Sequence, residues 1–104
     1  MDSLNSVLIE GTIEGAVETV LKDEAAVCTF TISSNRFYKR AKEYQKEISF
    51  FTVMAWGEVA IKCALLSPGQ GVRIVGRLWQ SNTGAVLVRA EIVESKPESA
   101  EKKA

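Results

Sequence analysis

Residues Arg36 to Trp56 read R-F-Y-K-R-A-K-E-Y-Q-K-E-I-S-F-F-T-V-M-A-W, and the fold turns on this stretch. Its first half interleaves cations with rings. Arg36, Lys39, Arg40, Lys42 and Lys46 stand among Phe37, Tyr38 and Tyr44, and up to Lys46 only Glu43 opposes them. Its second half alternates as a strand does. Ile48, Phe50, Thr52, Met54 and Trp56 share one face; Ser49, Phe51, Val53 and Ala55 share the other. Large apolar groups on both faces fit a fully buried strand, or one with a core face and an apolar binding face. Phe51 is expected in the core because it shares a face with Val53. Cations beside exposed rings suit an unpaired polynucleotide whose bases are free to stack. A solvated hairpin whose rings fill local gaps fits this stretch equally well when it is taken alone.

Upstream, the chain reads as two strands. Asn5 to Ile13 alternates, with Val7, Ile9 and Ile13 on one side. Gly11 falls on that apolar side, where glycine marks a bulge or a sharp bend. Ala16 to Leu21 continues the strand after a kink, and Lys22-Asp23-Glu24 is a charged turn. Ala26 to Ser34 is a half-buried strand: Cys28, Phe30 and Ile32 point inward, while Val27, Thr29, Thr31 and Ser33 form a wet face. Lys39 to Gln45 is expected to be the tip of a long hairpin arm.

Downstream, Gly57 changes the period. Val59, Cys63 and Leu66 recur at helical spacing, which predicts two to three turns of amphipathic helix. Ser67-Pro68-Gly69 ends it. Val72 to Gln80 is the fourth strand, with Val72, Ile74, Gly76 and Leu78 expected inward and Arg73, Val75, Arg77 and Trp79 outward. Ser81 to Gly84 forms a hairpin turn. Ala85 to Glu94 is the fifth strand. Residues 95–104 are a polar tail too poor in apolar groups to fold. The expected division is therefore a folded domain over 1–94 and a disordered tail over 95–104.

The bulk numbers bound the function. A chain of 104 residues with 46% hydrophobic and 25% charged residues is one small globular domain. Net charge is zero, which argues against binding a polyanion by total charge. Charge is nevertheless segregated: Arg36 to Lys46 carries five cations and one carboxylate, so the remainder is net negative. Field depends on where charges lie, so a local basic groove stays open. There is no histidine, which removes the usual general base and most zinc sites. Cys28 and Cys63 lack a C-x-x-C partner and read as buried reduced thiols. The thirteen acids form no metal-holding cluster of the kind a nuclease needs, and no Gly-rich phosphate loop occurs. No enzyme, metal or cofactor is expected. No signal-peptide pattern and no long apolar run occur, so the expected setting is cytoplasmic, with no membrane partner.

Five strands with one short helix between the third and fourth, and glycines in the first and fourth, suit a small closed barrel. This is the all-β layout of the five-stranded OB-fold, whose second and third strands form the usual binding face. The long β2–β3 hairpin carries the basic-aromatic stretch, so placement and composition agree.

The segments N-S-V-L-I-E-G-T-I, C-T-F-T-I-S-S-N-R, F-F-T-V-M-A-W-G-E-V-A and G-V-R-I-V-G-R-L, in this order and spacing, resemble the bacterial single-stranded DNA-binding proteins. The resemblance covers Asn5 to Val93. It implies an OB barrel, assembled as a homotetramer (or a dimer), that coats single strands in DNA replication, repair and recombination near the nucleoid. Carried over by position, the stacking rings fall on Tyr38 with Phe37, on Phe50, and on Trp56. The basic groove falls on Arg36, Lys39, Arg73 and Arg77. Thr52 and Met54 lie between the rings on the same strand face. A family tryptophan farther along strand four has no direct match, which leaves Trp79 open. The segment after strand one reads E-G-A-V-E in place of the family's Asp-Pro-Glu-like element. The family's acidic tail tip, which recruits replication and repair proteins, is not matched by Glu101-Lys102-Lys103-Ala104, so recruitment through it is not expected.

Some roles stay open at this point. Phe50 and Trp56 could line the binding face or be buried between subunits. Arg73 and Arg77 could contact phosphate or pair with Glu91 or Glu94. Two other assignments also fit the sequence: an OB-fold adaptor similar to the primosomal proteins of replication restart, and an RNA-binding OB module.

Overall fold

The computed structural model describes residues 1–96. Five strands and one helix follow in the expected order: β1 (Val7–Lys22), β2 (Ala25–Arg40), β3 (Glu43–Trp56), α1 (Gly57–Cys63), β4 (Gly71–Gln80) and β5 (Val86–Ser95). The strands close into a barrel in the order β1-β2-β3-β5-β4. This is the OB-fold layout read from the sequence.

Closure depends on β1, which serves two neighbours. Its first half pairs with β4, Val7 opposite Gly76 through Thr12 opposite Gly71. From Thr12 onward it pairs with β2, with an irregularity between Glu14 and Glu18. Gly11 sits where the strand passes from one partner to the other. A Cβ there would lie 2.5 Å from the Ser33 carbonyl oxygen, so only glycine lets the two backbones approach. The kink expected after Ile13 is this irregularity, and the strand runs unbroken to Lys22. The barrel shuts where β3 and β5 meet in parallel, Val53 opposite Val88 and Met54 opposite Arg89.

The core is the inward side of these strands. Ile13, Cys28, Phe30, Ile32, Val53, Val72 and Ile74 are buried. The short helix α1 adds Ala60 and Cys63 to the core, with Val59 packed against it; the helix ends at Cys63, before the expected Leu66, which packs against the core from beyond its end. Burying one such side chain contributes about 1.5–3 kcal/mol. The cysteines are free, buried thiols. Burial, together with the neighbouring Cys28, pushes the Cys63 thiol up to about 12.

The structure differs from the sequence reading in several places. The hairpin tip is not Lys39 to Gln45 but two residues, Ala41 and Lys42, both at positive φ (51° and 70°). That is the two-residue turn whose twist matches the strands it joins, and pairing therefore continues to Arg40 and Glu43. Phe51 lies on the core side opposite buried Ile32, yet it is 37% exposed, because the ribbon leaves the barrel at that rung. Leu78, expected inward, is 49% exposed. Its backbone N–H donates to Asn5 Oδ1 and its carbonyl accepts from Asn5 Nδ2, both at 2.9 Å. Val27 and Ser33, both expected on the wet face, are buried, and Ser33 donates to Glu14 Oε2 at 2.7 Å. β5 runs to Ser95, one residue past the expected boundary, and the rest of the expected tail, 97–104, lies outside the described residues.

Candidate nucleic-acid interface

The register of β2 on β3 decides which rings can act together. Side chains alternate across a strand, so cross-strand partners share a face. Val27 pairs with Trp56, Thr29 with Met54, Thr31 with Thr52, Ser33 with Phe50 and Phe37 with Lys46. All lie on one outer face. Tyr38 pairs with Gln45, and Arg36 with Glu47. Those belong to the opposite face, which continues the core side of the ribbon. The sequence-derived site therefore divides: Phe37, Lys39, Phe50, Thr52, Met54 and Trp56 are on one side, and Arg36 and Tyr38 on the other.

On the outer face the rings of the arm are open to solvent. Phe50 is 63% exposed and Phe37 is 70% exposed. Each ring near the tip has a cation beside it. Lys46 Nζ stands 5.8 Å from the Phe37 centroid, and Lys39 Nζ stands 5.6 Å from Tyr44. On the reverse face Arg36 covers Tyr38 at 5.0 Å and reaches Glu47 at 3.8 Å. Exposed cation–π pairs contribute about 0.5–1 kcal/mol, enough to bias a side chain without locking it.

At the barrel end of the same outer face, Trp56 and Trp79 meet edge to face, with centroids 5.3 Å apart and planes at 78°. Offset and T-shaped pairs are favourable because the positive ring edge meets the negative face. The Arg89 guanidinium lies 4.4 Å from the Trp56 centroid. Trp79, left open by sequence, is thus part of the ring cluster. Arg89 was missed. Its only sequence signal is alternation with Val88 and Ala90, which places it outward on β5.

Arg73 and Arg77 part company. Arg73 donates to Glu10 through Nε and Nη2, both at 2.7 Å to Oε2. Lys96 Nζ holds the other oxygen at 3.2 Å. These bonds hold the Glu10 carboxyl below its ordinary value, the Arg73 bond first and the Lys96 bond second. The partner of Arg73 is therefore Glu10, not Glu91 or Glu94. Arg77 makes no ion pair among the described residues. Nor do the described residues bring together three or more metal-capable side chains. No helix among them is long and apolar enough to cross a membrane.

The sequence profile of the single-strand binding protein family matches residues 4–98. The chain belongs to the single-strand binding protein family. A relative named "Single-stranded DNA-binding protein", from Aquifex aeolicus (strain VF5), is 41% identical over 80 residues, 74% of this chain and 54% of that protein. The chain thus spans about half the length of that family member. The fold is similar to a deletion mutant of the single-stranded DNA binding protein from Thermus aquaticus, with a TM-score of 0.78 and 21% identity over 90% of this chain and 51% of that one. It is also similar to the protein priB from Ralstonia solanacearum, with a TM-score of 0.76 and 14% identity over 90% of this chain and all of that one.

Proposed function

We propose that this family member binds single-stranded DNA without regard to sequence, protecting it during replication, repair and recombination. The observation that carries the reading is one continuous outer face running from Phe37 through Phe50 to Trp56 and Trp79, with Lys39, Lys46, Arg77 and Arg89 beside it. Every base has a π-face, so stacking is sequence-tolerant and contributes about 1–3 kcal/mol per base. A duplex hides those faces and would gain only from the cations. Arg36 and Tyr38 serve a strand that passes over the arm to its reverse side. Arg73, tied to Glu10, contributes to the field and not to a direct stack. The proposed activity is binding alone. Residues 1–94 are the binding domain, acting as a homo-oligomer, a tetramer on the family pattern, in the cytoplasm at the nucleoid.

Titrating the intrinsic tryptophan emission with oligo-dT, oligo-U and a duplex tests this. Strong quenching by dT that weakens as salt rises is expected, since each phosphate contacted on a single strand contributes a slope of about −0.7. Equal quenching by the duplex would overturn the reading. A second reading, a restart adaptor, draws on the priB likeness, which spans the whole of that chain. A dimeric mass by light scattering would favour it over the tetramer.

A further inference from the structure

Arg77 and Arg89 are Cα partners across the antiparallel β4–β5 pair. Their neighbours leave them no choice of side. Gly76 opposite Ala90 is buried, and Val88, the partner of Leu78, is buried too, so both arginines must point outward. Like charges directly opposite on one face of a sheet repel. A carboxylate between them would relieve this, and the sequence offers Glu91 nearby. Glu91 forms no ion pair with either arginine among the described residues, and the register shifts beside it at Val75/Gly76. Val75 pairs with Ile92 and Gly76 with Ala90, which leaves Glu91 as the extra residue of a bulge. Among the described residues neither arginine has an acidic partner: the ion pairs are Arg36–Glu47, Arg73–Glu10 and Lys96–Glu10. Arg89 instead rests its guanidinium on the face of Trp56. That is the face a base would use.

From this we infer that Arg77 and Arg89 form a clip for one backbone phosphate of a bound single strand, with Arg89 parked on Trp56 until the strand arrives. The inference rests on the single-strand reading and adds to it a specific anion site. A phosphate oxygen between two guanidiniums neutralises the repulsion that the empty sheet carries, and guanidinium forks match phosphate geometry. Turning Arg89 toward that phosphate uncovers Trp56 for a base. Recruitment of the ring and capture of the charge are then one event. Trp79, edge-on to Trp56, holds the indole in place while its cover leaves.

The test is the salt dependence of oligo-dT affinity for the wild-type chain, Arg89→Gln, Arg89→Lys, Arg77→Gln and the double glutamine variant. Each single glutamine variant is expected to weaken binding severalfold and to leave the slope nearly unchanged, since the remaining arginine still neutralises the shared phosphate. The double variant should lower the slope magnitude by about 0.7, one single-strand phosphate, because both side chains address the same one. Arg89→Lys keeps the charge and should keep the slope. Free Arg89→Gln should show altered tryptophan emission, since Trp56 loses its cover. Thermal midpoints at low salt are read in parallel. Arg77→Gln should melt no lower than wild type, because it removes repulsion and no described partner. A one-phosphate slope loss in each single variant that adds up in the double variant, an unchanged slope in the double variant, or a lowered midpoint in Arg77→Gln would each overturn the clip while leaving wild-type binding to dT intact. Absence of wild-type binding to dT would instead overturn the functional reading itself, and the clip with it.

Discussion

Phe37 and Tyr38 are neighbours in the chain and lie on opposite faces of the arm. Phe37 faces the side of Phe50 and Trp56, with Lys46 beside it, while Tyr38 faces away under Arg36. A strand segment lying on one face can stack on only one of the two. Short oligo-dT, long enough for the outer face alone, should lose about 1–3 kcal/mol of binding with Phe37→Ala and almost none with Tyr38→Ala. Longer oligonucleotides that turn over the arm should feel both substitutions. Titrations at two lengths check this, and equal losses at the short length would mean that the faces are not separate.

The two barrel-side rings on the outer face should act together with the arm. Phe50→Ala combined with Trp56→Ala is expected to weaken dT binding at least about tenfold, a modest demand on two stacking sites. Far-ultraviolet circular dichroism should be unchanged, because Phe50 stands in solvent and Trp56 is half-buried.

The Glu10 carboxylate sets an acid limit on this end of the barrel. Its folded-state pKa lies below 4.5, held there by Arg73 and then Lys96. A group with a depressed folded pKa stabilises above its unfolded value, and that contribution is lost as pH falls through the folded value. Glu10→Gln should therefore melt below wild type at neutral pH. The gap should shrink as the pH drops under 4.5 and close in stronger acid. Thermal melts across that range measure it.

Cys63 carries the opposite sign. Its thiol is raised from 9.0 to about 12 in the fold. The unfolded chain ionises first, so stability present below 9.0 should fall as the pH rises toward 12. At pH 8 the native thiols should resist iodoacetamide and react only after denaturation, which mass spectrometry reads directly.

Gly76 carries the bulged sheet. A Cβ there would run into the backbone carbonyl of Arg89, with no flexible side chain able to yield. Gly76→Ala should cost about 1–3 kcal/mol in urea unfolding, in the range of overpacked cores. It should also displace Arg89 from Trp56, which would appear as a changed emission spectrum.

Much of this was legible from residue patterns. The alternation of Cys28, Phe30 and Ile32, the helical spacing of Val59, Cys63 and Leu66, and the position of the basic-aromatic arm are local signals, and the barrel follows from their order. The division of the site was not legible. Which side Phe37 takes depends on the register of the arm, and register depends on the length of the turn at Ala41-Lys42. That turn lacks the Gly or Asn that would have revealed it. The partner of Arg73 is 63 residues away in the chain, so no window of sequence pairs it with Glu10. Arg89 is one arginine on one strand. It acquires meaning only once β3 and β5 meet in parallel and set it against Trp56.

The two-residue tip also makes the arm invertible. One extra residue in β2 between Asn35 and Phe37 would slide every later side chain of that strand to the other surface, carrying Phe37 and Lys39 away from Phe50. The barrel core lies at the other end of the fourteen β2–β3 rungs that run from Trp56 to Glu43, so it would hardly register the change. A single inserted codon could thus reroute the path of a polynucleotide across this scaffold while its interior stays as it is.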